Sequence, residues 1–237
     1  MNILLTNDDG YLSKGIQVLQ KILSQYGTVV IVAPDSERSA NSASLTLGRP
    51  LQLEKVGDRV FKCSGTPVDC VSMGLCLLNI DFDLVVSGCN NGYNISYDTM
   101  YSGTVGAALE AMLFQIPSIA VSAPHGTDFK EVEKHFDEVW KYIFDHDLTS
   151  KDYVLNVNFP KGEVKDIQIG SLYYRLDKNF FTKEGDGYYA YRYMDNEFEK
   201  VKDSDCYLYE HKIVSIVPLR KTYFDPSLQK ELLKKIK

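Results

Sequence analysis

The chain of 237 residues carries 26 Lys and Arg against 32 Asp and Glu, a net charge of -6, and 44% of it is hydrophobic. This length can bury a sizeable core, and we expect an α/β catalytic domain over 1–160 with a smaller extension over 161–237. The acidic balance gives no electrostatic footprint for duplex nucleic acid. Because no apolar run is long enough for a membrane span and the start lacks a signal-peptide pattern, we expect a cytoplasmic protein with no membrane partner.

The first predicted element is a buried strand that ends in two acidic residues. The apolar stretch 3–5 leads into Asp8 and Asp9, a helical stripe follows over 15–23, and a second apolar strand covers 28–33. This βαβ unit predicts a parallel sheet whose strands end at one edge, where ligands bind. The acidic stretch is also typical of a surface turn, because Asn, Asp and Gly favour turns for backbone reasons.

Polar loops follow the next two strands at the same edge. The loop 35–44 after the second strand contains Ser39 and Asn41, which are candidates for contacting the same ligand as the acid pair, although a plain flexible loop is an alternative. A strand over 83–87 precedes a loop with three asparagines, Asn90, Asn91 and Asn94, of which Asn90 and Asn94 are the site candidates. Amide oxygens can ligate a hard cation, and amide N–H groups can bind phosphate oxygens.

Two helices have clear start signals. Thr66 precedes Pro67, with Asp69 three residues after Thr66, which predicts a capping box. The second helix starts at Ser102, which is followed by Gly103 and Thr104. Its small residues and exposed N–H donors suit a phosphate, but a close-packed buried helix is an equal interpretation.

Aromatic and charged residues alternate in the C-terminal part, over 173–175 and 187–193, which predicts exposed β-hairpins. We expect a second subunit to cover them, because long aromatic hairpins are sticky when exposed. A stacking platform for single-stranded nucleic acid is the alternative, and the acidic balance disfavours it. A strand over 213–219 and a last helix starting at Asp225 and Pro226 complete the chain.

The candidate residues share one predicted sheet edge and one chemistry. All of them offer oxygen or N–H groups, and none is His or Cys, which favours Mg²⁺ or Mn²⁺ over zinc or copper. A hard divalent cation beside a phosphate pocket indicates metal-assisted phosphoryl hydrolysis. The candidates are Asp8, Asp9, Ser39, Asn41, Asn90, Asn94, Ser102, Gly103 and Thr104.

Five ordered motifs resemble those of the survival-protein SurE family, strongly over residues 1–125. The motifs are Thr6–Gly10, Ala33–Asp35 with Arg38 and Ser39, Gly65–Cys70, Ser87–Asn94 and Tyr101–Val105. The resemblance implies a divalent-metal-dependent phosphatase of nucleoside 5′-monophosphates, often of 3′-monophosphates and sometimes of polyphosphate. It also implies a Rossmann-like fold of three layers, with the C-terminal part exchanged or packed between the subunits of a homodimer or homotetramer.

The resemblance also implies roles for residues of this chain. Asp8, Asp9, Ser39 and Asn90 would hold one Mg²⁺ or Mn²⁺ per subunit, and the acid pair would be catalytic. Asn41, Asn94, Ser102, Gly103 and Thr104 are the candidates for binding the phosphate. The chain departs from the family motif at Cys89 and Tyr93, which bears on loop shape and base preference more than on the metal. The sequence places no histidine as a general acid, which leaves water or Asp9 to protonate the leaving group.

Two other functions stay open at this point. A haloacid-dehalogenase-like phosphatase also starts from a strand that ends in Asp, but it uses an aspartyl nucleophile in a D-x-D pattern, whereas Asp8 and Asp9 are adjacent. A phospho-aspartyl intermediate would identify that class. The second alternative is a nucleotide-binding regulator without turnover, which phosphate release from a nucleotide would rule out.

Overall fold

The computed structural model describes residues 1–173, 180–192, 201–220 and 226–235. Within them, two sheets are formed by β1 (Asn2–Thr6), β2 (Thr28–Pro34), β3 (Leu53–Gly57), β4 (Val60–Cys63), β5 (Leu84–Asn91), β6 (Ser118–Ala123), β7 (Val154–Asn158), β8 (Asp166–Ile169), β9 (Phe180–Gly185), β10 (Tyr188–Arg192) and β11 (Ile213–Leu219). The main sheet has nine strands in the order β3-β4-β2-β1-β5-β6-β7-β11-β8. The other sheet is the hairpin of β9 and β10.

The centre of the main sheet is parallel. The strands from β4 through β2, β1, β5 and β6 to β7 all run parallel to their neighbours. Antiparallel pairs flank this centre, β3 with β4 on one side and β7 with β11 on the other. Together with the C-terminal hairpin, this arrangement confirms the predicted α/β class. The segment after residue 160 contributes β8 and β11 to the same sheet as the first 160 residues.

Helices cover both faces of the sheet and form three layers with it. Amphipathic α1 (Lys14–Leu23) and α5 (Lys130–Asp145) pack on one face, and α2 (Pro67–Leu77) and α4 (Gly103–Leu113) pack on the other. The predicted capping box of α2 and the predicted cap of α4 are both confirmed, since the Ser102 hydroxyl accepts from the Val105 N–H at 3.1 Å. The described part of the chain also contains α3 (Asp98–Tyr101), α6 (Asp205–Glu210) and α7 (Pro226–Lys235).

The strand order reverses at the β1–β5 pair. From β1 the chain proceeds to β2 and β4 on one side, and from β5 to β6 and β7 on the other. In open parallel sheets the crevice for ligands lies at such a reversal, outside the carboxyl ends of the strands. Strand β5 is longer than predicted: Asn90 and Asn91 still pair with Ser122 and Ala123 of β6, after an irregularity that follows Ser87. The polar loop therefore starts later than Gly88, and Asn90 is held within the sheet.

The C-terminal hairpin exposes its aromatic side chains. Phe181, Tyr188 and Tyr189 of β9 and β10 are each more than 60% exposed. Of the other residues predicted in this part, Tyr174, Arg175, Tyr193 and Asp225 lie outside the described residues. None of the helices in the described ranges has the length and apolarity needed to cross a membrane.

Candidate active site

A cleft of about 570 Å³ opens at the carboxyl ends of β1, β5 and β6, beside the start of α4. The volume lies within the range of small-ligand sites. The cleft brings together six of the nine predicted metal and phosphate residues, and one of them, Ser102, is also the predicted cap of α4. Its lining is formed by Asp8, Asp9, Glu37, Ser39, Ala40, Asn90, Asn91, Gly92, Tyr93, Asn94, Asp98, Tyr101, Ser102 and His125.

Asp8 is the most deeply buried acid of the cleft, only 4% exposed. Its Oδ1 accepts the Thr104 hydroxyl at 2.5 Å, so the start of α4 holds the carboxylate in place. The absence of a side chain at Gly103 allows this approach, because a Cβ there would lie 3.0 Å from the Asp8 Cβ. Burial raises the pKa of Asp8 from 3.8 to about 6, against the lowering effect of the Thr104 bond and with a smaller contribution from Asp9.

Asp9 is anchored to the end of β5. Its Oδ2 accepts the backbone N–H of Asn91 at 3.1 Å. Burial raises the pKa of Asp9, and the nearby Glu37 carboxylate adds to this rise. The Asn91 N–H and the His125 ring act in the opposite direction. Two adjacent carboxylates whose pKa values are both raised by burial are more stable as a pair when a cation lies beside them.

The other two predicted metal ligands, Ser39 and Asn90, lie in the same cleft with oxygen atoms still able to coordinate. The Ser39 hydroxyl donates to Glu37 Oε1 at 2.7 Å. The lone pairs of the Ser39 oxygen therefore remain available to coordinate a cation. The Asn90 Nδ2 donates to the Gly92 carbonyl at 2.8 Å, so Oδ1 is the atom that remains to coordinate. Hard oxygen donors of this kind fit Mg²⁺ or Mn²⁺. In the described chain, no group of three or more His, Cys, Asp or Glu forms a metal cluster.

Two of the residues predicted to bind phosphate line the cleft. Ser102 caps α4, and Asn94 is buried with its Nδ2 donating to the Ser122 hydroxyl at 2.8 Å. The Asn94 carbonyl accepts from Asn156 Nδ2 at 2.8 Å and Asn158 Nδ2 at 3.1 Å, so β7 fixes this part of the loop. The anchoring makes the loop a rigid wall of the cleft.

Asn41, Gly103 and Thr104 lie behind the lining. The Asn41 Nδ2 donates to the Arg38 carbonyl at 2.7 Å, within its own loop. Gly103 and Thr104 are buried, and the Thr104 hydroxyl is engaged with Asp8. Phosphate binding by these residues stays a prediction. The contribution of Gly103 and Thr104 that the structure shows is to support Asp8.

The charges around the cleft are one-sided. Four of its lining residues are acidic, Asp8, Asp9, Glu37 and Asp98, and none of the described lining residues is Lys or Arg. The nearest loop cation that the sequence offers, Arg38, pairs instead with Asp35 at 3.0 Å and is not part of the lining. An anionic ligand can enter such a cleft only when a cation compensates the carboxylates.

His125 of the cleft was not predicted from the sequence, and Asn91 was one of the three asparagines noted after the strand but not one of the site candidates. The Asn91 carbonyl lies 3.0 Å from His125 Nδ1, and its side-chain Oδ1 accepts the Gly126 N–H at 2.9 Å. His125 follows β6 at the same sheet edge as the acid pair. That position after a predicted strand was the one signal that could have identified it.

Residues 3–181 match the family model described as survival protein SurE. The chain belongs to the SurE family. A relative in Clostridium botulinum (strain Alaska E43), named 5′-nucleotidase SurE, is 37% identical over 98% of this chain and 97% of its own length. Another of that name in Acinetobacter baylyi is 45% identical over 69% of each chain. A crystal structure of the SurE protein from Aquifex aeolicus superimposes with a TM-score of 0.88 at 31% identity, covering 100% of both chains. These findings confirm the family resemblance and the SurE-like fold.

Proposed function

We propose that this SurE-family chain is a divalent-metal-dependent 5′-nucleotidase, which hydrolyses nucleoside 5′-monophosphates to nucleoside and phosphate. Its relatives named 5′-nucleotidase SurE support the nucleotide substrate. The observation that carries the metal dependence is the acidic cleft, in which no described lining residue is Lys or Arg. A phosphate dianion beside four carboxylates needs a cation that attracts both.

Asp8, Asp9, Ser39 and Asn90 would hold this cation, and Mg²⁺ and Mn²⁺ suit their oxygen donors best. When bound, such a cation supplies Lewis-acid polarisation of the phosphoryl group and makes water more acidic. Raised pKa values of Asp8 and Asp9 support this assignment, because burial without a cation destabilises their charged forms.

The protein itself contributes orientation of the phosphate. Ser102 and Asn94 line the cleft and can contact phosphoryl oxygens, and the N-terminus of α4 adds the dipole of an 11-residue helix. Gly103 and Thr104 belong to that first turn, and we keep them and Asn41 as phosphate-binding candidates. The cleft extends past Tyr93 and Tyr101, so it has room for a nucleoside beside the phosphate.

Three finer points belong to the same proposal. Turnover of 3′-monophosphates and polyphosphate follows from the family resemblance and is included as a substrate range to test. The exposed aromatic residues of the hairpin, Phe181, Tyr188 and Tyr189, favour a homodimer or homotetramer in which the C-terminal extension is covered by another copy. A cytoplasmic location stays the expectation from sequence.

The test is a phosphate-release screen over nucleoside mono-, di- and triphosphates and polyphosphate, with Mg²⁺, Mn²⁺ or EDTA. We expect AMP or GMP to be hydrolysed with metal and not with EDTA. Asp8→Asn and Asp9→Asn should each lower turnover at saturating metal by at least about 10²-fold, the scale of several kcal/mol of charge stabilisation. Asp186→Asn, in the hairpin turn, is the matched control and should keep full activity.

Each failure has a different meaning. Turnover close to wild type in both Asp8 and Asp9 variants would contradict the metal assignment. A phospho-aspartyl species trapped on wild type would identify the haloacid-dehalogenase class instead. Nucleotide binding without phosphate release under any metal would indicate a regulator.

A further inference from the structure

The acidic cleft contains one side chain that can carry a positive charge. Among the described lining residues none is Lys or Arg, and His125 is the only imidazole. His125 is exposed in the loop after β6, at the same sheet edge as Asp8 and Asp9. Its exposure keeps the ring in exchange with bulk water, which a group that repeatedly gives up a proton requires.

The ring orientation is fixed through Asn91. His125 Nδ1 lies 3.0 Å from the Asn91 carbonyl, which can only accept, so Nδ1 carries a hydrogen and Nε2 is the remaining nitrogen. The Gly126 N–H donates to Asn91 Oδ1 at 2.9 Å, a second hydrogen bond between Asn91 and the loop that carries His125. Because the Asn91 N–H also donates to Asp9 Oδ2 at 3.1 Å, the same residue contacts both Asp9 and the imidazole.

We propose that His125 is the general acid that protonates the leaving oxygen of the nucleotide, an inference that rests on the proposed phosphatase function. A water oxygen bonds to phosphorus while the bond from phosphorus to the ribose oxygen breaks. The electron pair of that bond goes to the ribose oxygen, which takes the proton of His125 Nε2. Solvent receives the proton that the attacking water loses and later reprotonates the imidazole. An unprotonated alkoxide is a strong base and a poor leaving group, so this proton matters for a nucleotide.

Asp9, the alternative acid, is less suited to this step. Its Oδ2 already accepts from Asn91, and the same carboxylate is a proposed ligand of the cation, which favours its charged form. The hydrogen-bond partner of the His125 ring is the Asn91 carbonyl, which is not one of the proposed metal ligands. Asp8 and Asp9 would thus bind the cation, and His125 would donate the proton.

The test compares two substrates that differ in how much they need the proton. The leaving group of AMP is the adenosine alkoxide, whereas the leaving group of p-nitrophenyl phosphate is a stable phenolate. In His125→Asn the side-chain amide can keep the bond to the Asn91 carbonyl while no proton donor remains at the position of Nε2. We expect kcat for AMP to fall by about 10²-fold and kcat for p-nitrophenyl phosphate to change by less than about 3-fold, since general acids contribute in that range only where a proton is needed.

Two further variants isolate the proton transfer. His125→Gln places an N–H near Nε2 that can donate a hydrogen bond but cannot give up its proton, so it should be as slow on AMP as His125→Asn. His146→Asn is the matched control: His146 Nδ1 makes the same kind of bond, 2.9 Å to the Tyr142 carbonyl, far from the lining of the cleft. It should hydrolyse both substrates like wild type.

Three results would overturn the assignment while the phosphatase function stands. These are unchanged AMP turnover in His125→Asn, recovery of AMP turnover in His125→Gln, or an equal loss on both substrates, which would indicate a structural role. If wild type hydrolyses neither substrate with Mg²⁺ or Mn²⁺, the proposed function fails, and the role of His125 fails with it.

Discussion

Two buried carboxylates, Asp8 in the cleft and Asp205 at the start of α6, show what separates a reactive acid from a structural one. Asp205 is fully buried, and its two oxygens accept three backbone N–H groups: Ser96 at 2.7 Å, Cys206 at 2.9 Å and Tyr173 at 3.1 Å. Burial raises the pKa of Asp205, and these three bonds act against the rise. The carboxylate joins three distant segments of the chain and has its acceptor capacity largely used.

Asp8 is buried almost as deeply, but its donors come from its own backbone N–H and from Thr104 rather than from several distant segments. Its side-chain donor is the Thr104 hydroxyl, and its nearest charged neighbour is another acid, Asp9. Burial raises its pKa to about 6. At similar burial, the two carboxylates therefore differ in the charge beside them: Asp205 accepts only neutral N–H groups, whereas Asp8 has a second carboxylate as its neighbour, the arrangement that our proposal assigns to a cation.

Removing the structural carboxylate should have the largest effect on folding. In Asp205→Ala the buried N–H groups of Ser96 and Cys206 and the half-buried N–H of Tyr173 lose their acceptor. We expect the free energy of unfolding to fall by about 4 kcal/mol, since each orphaned group costs about 1–3 kcal/mol and the cost of burying the charge is regained. Urea unfolding in EDTA at neutral pH measures this loss of unfolding free energy. Asp186→Ala, whose side chain is fully exposed in the hairpin turn, should leave the midpoint unchanged. A loss below about 1 kcal/mol for Asp205→Ala would remove the contrast with Asp8.

Neutralising Asp8 should have the opposite sign in the metal-free protein. Folding raises its pKa from 3.8 to about 6, so the folded state disfavours the charge, and wild type loses stability as the pH rises through that window. At about 1.4 kcal/mol per pKa unit, Asp8→Asn should be more stable than wild type by about 3 kcal/mol at pH 7.5 in EDTA and equal to it near pH 3.5. Unfolding curves at the two pH values give the difference. An Asp8→Asn protein less stable than wild type at pH 7.5 would mean that Asp8 is satisfied without a cation.

The sequence could predict Asp8 because local patterns are sufficient there. A buried parallel strand is a continuous apolar run, so the sequence predicts β1, β2, β5 and β11. The acids that follow β1 are then expected at the sheet edge where ligands bind. Ser39 follows β2, and Asn90 lies at the carboxyl end of β5 in the same sheet. The shared sheet edge is why the acid pair, Ser39 and Asn90 were predicted to meet. Capping residues identified the starts of α2 and α4 for equally local reasons.

Asp205 could not be predicted, and the only local signal for His125 was its position after a predicted strand, because the contacts of both residues depend on distant partners. The Ser96 N–H that Asp205 accepts comes from a residue 109 positions away, and the Asn91 carbonyl that holds His125 is 34 positions away. The strand β8, Asp166–Ile169, has only four residues, and it is defined by its parallel pairing with β11 rather than by its own pattern. Tertiary packing brings these groups together, and no spacing in the chain records it.

Adding metal should stabilise the protein through Asp8 and leave the Asp205 contacts untouched. Mn²⁺ at about 100 times its dissociation constant should raise the free energy of unfolding by about 2.7 kcal/mol at pH 7.5. At pH 5, about one unit below the pKa of Asp8, protons compete with the metal and the gain should shrink by about 1.4 kcal/mol. Unfolding midpoints with and without Mn²⁺ measure both values. Asp8→Asn should show no gain, whereas Asp205→Asn should keep it, and a gain of equal size in both variants would contradict metal binding at Asp8.

The smallest expected effect comes from the glycine that lets α4 approach Asp8. In Gly103→Ala the new Cβ would lie 3.0 Å from the Asp8 Cβ, 3.1 Å from its Oδ2 and 3.2 Å from the Pro67 Cγ, so the carboxylate must shift by a few tenths of an ångström. We expect Mn²⁺ affinity to fall by about 10-fold, the size seen when the support of a metal ligand is disturbed. Stability should change little, because alanine gains up to about 1 kcal/mol over glycine in a helix and offsets the crowding. Gly57→Ala is the matched control, with the nearest atom 3.5 Å away on the Val60 side chain. Calorimetric titration of Mn²⁺ distinguishes the two variants. Equal affinity in both would show that Asp8 tolerates displacement, and its position would then owe more to the Thr104 hydroxyl than to the close approach of the helix.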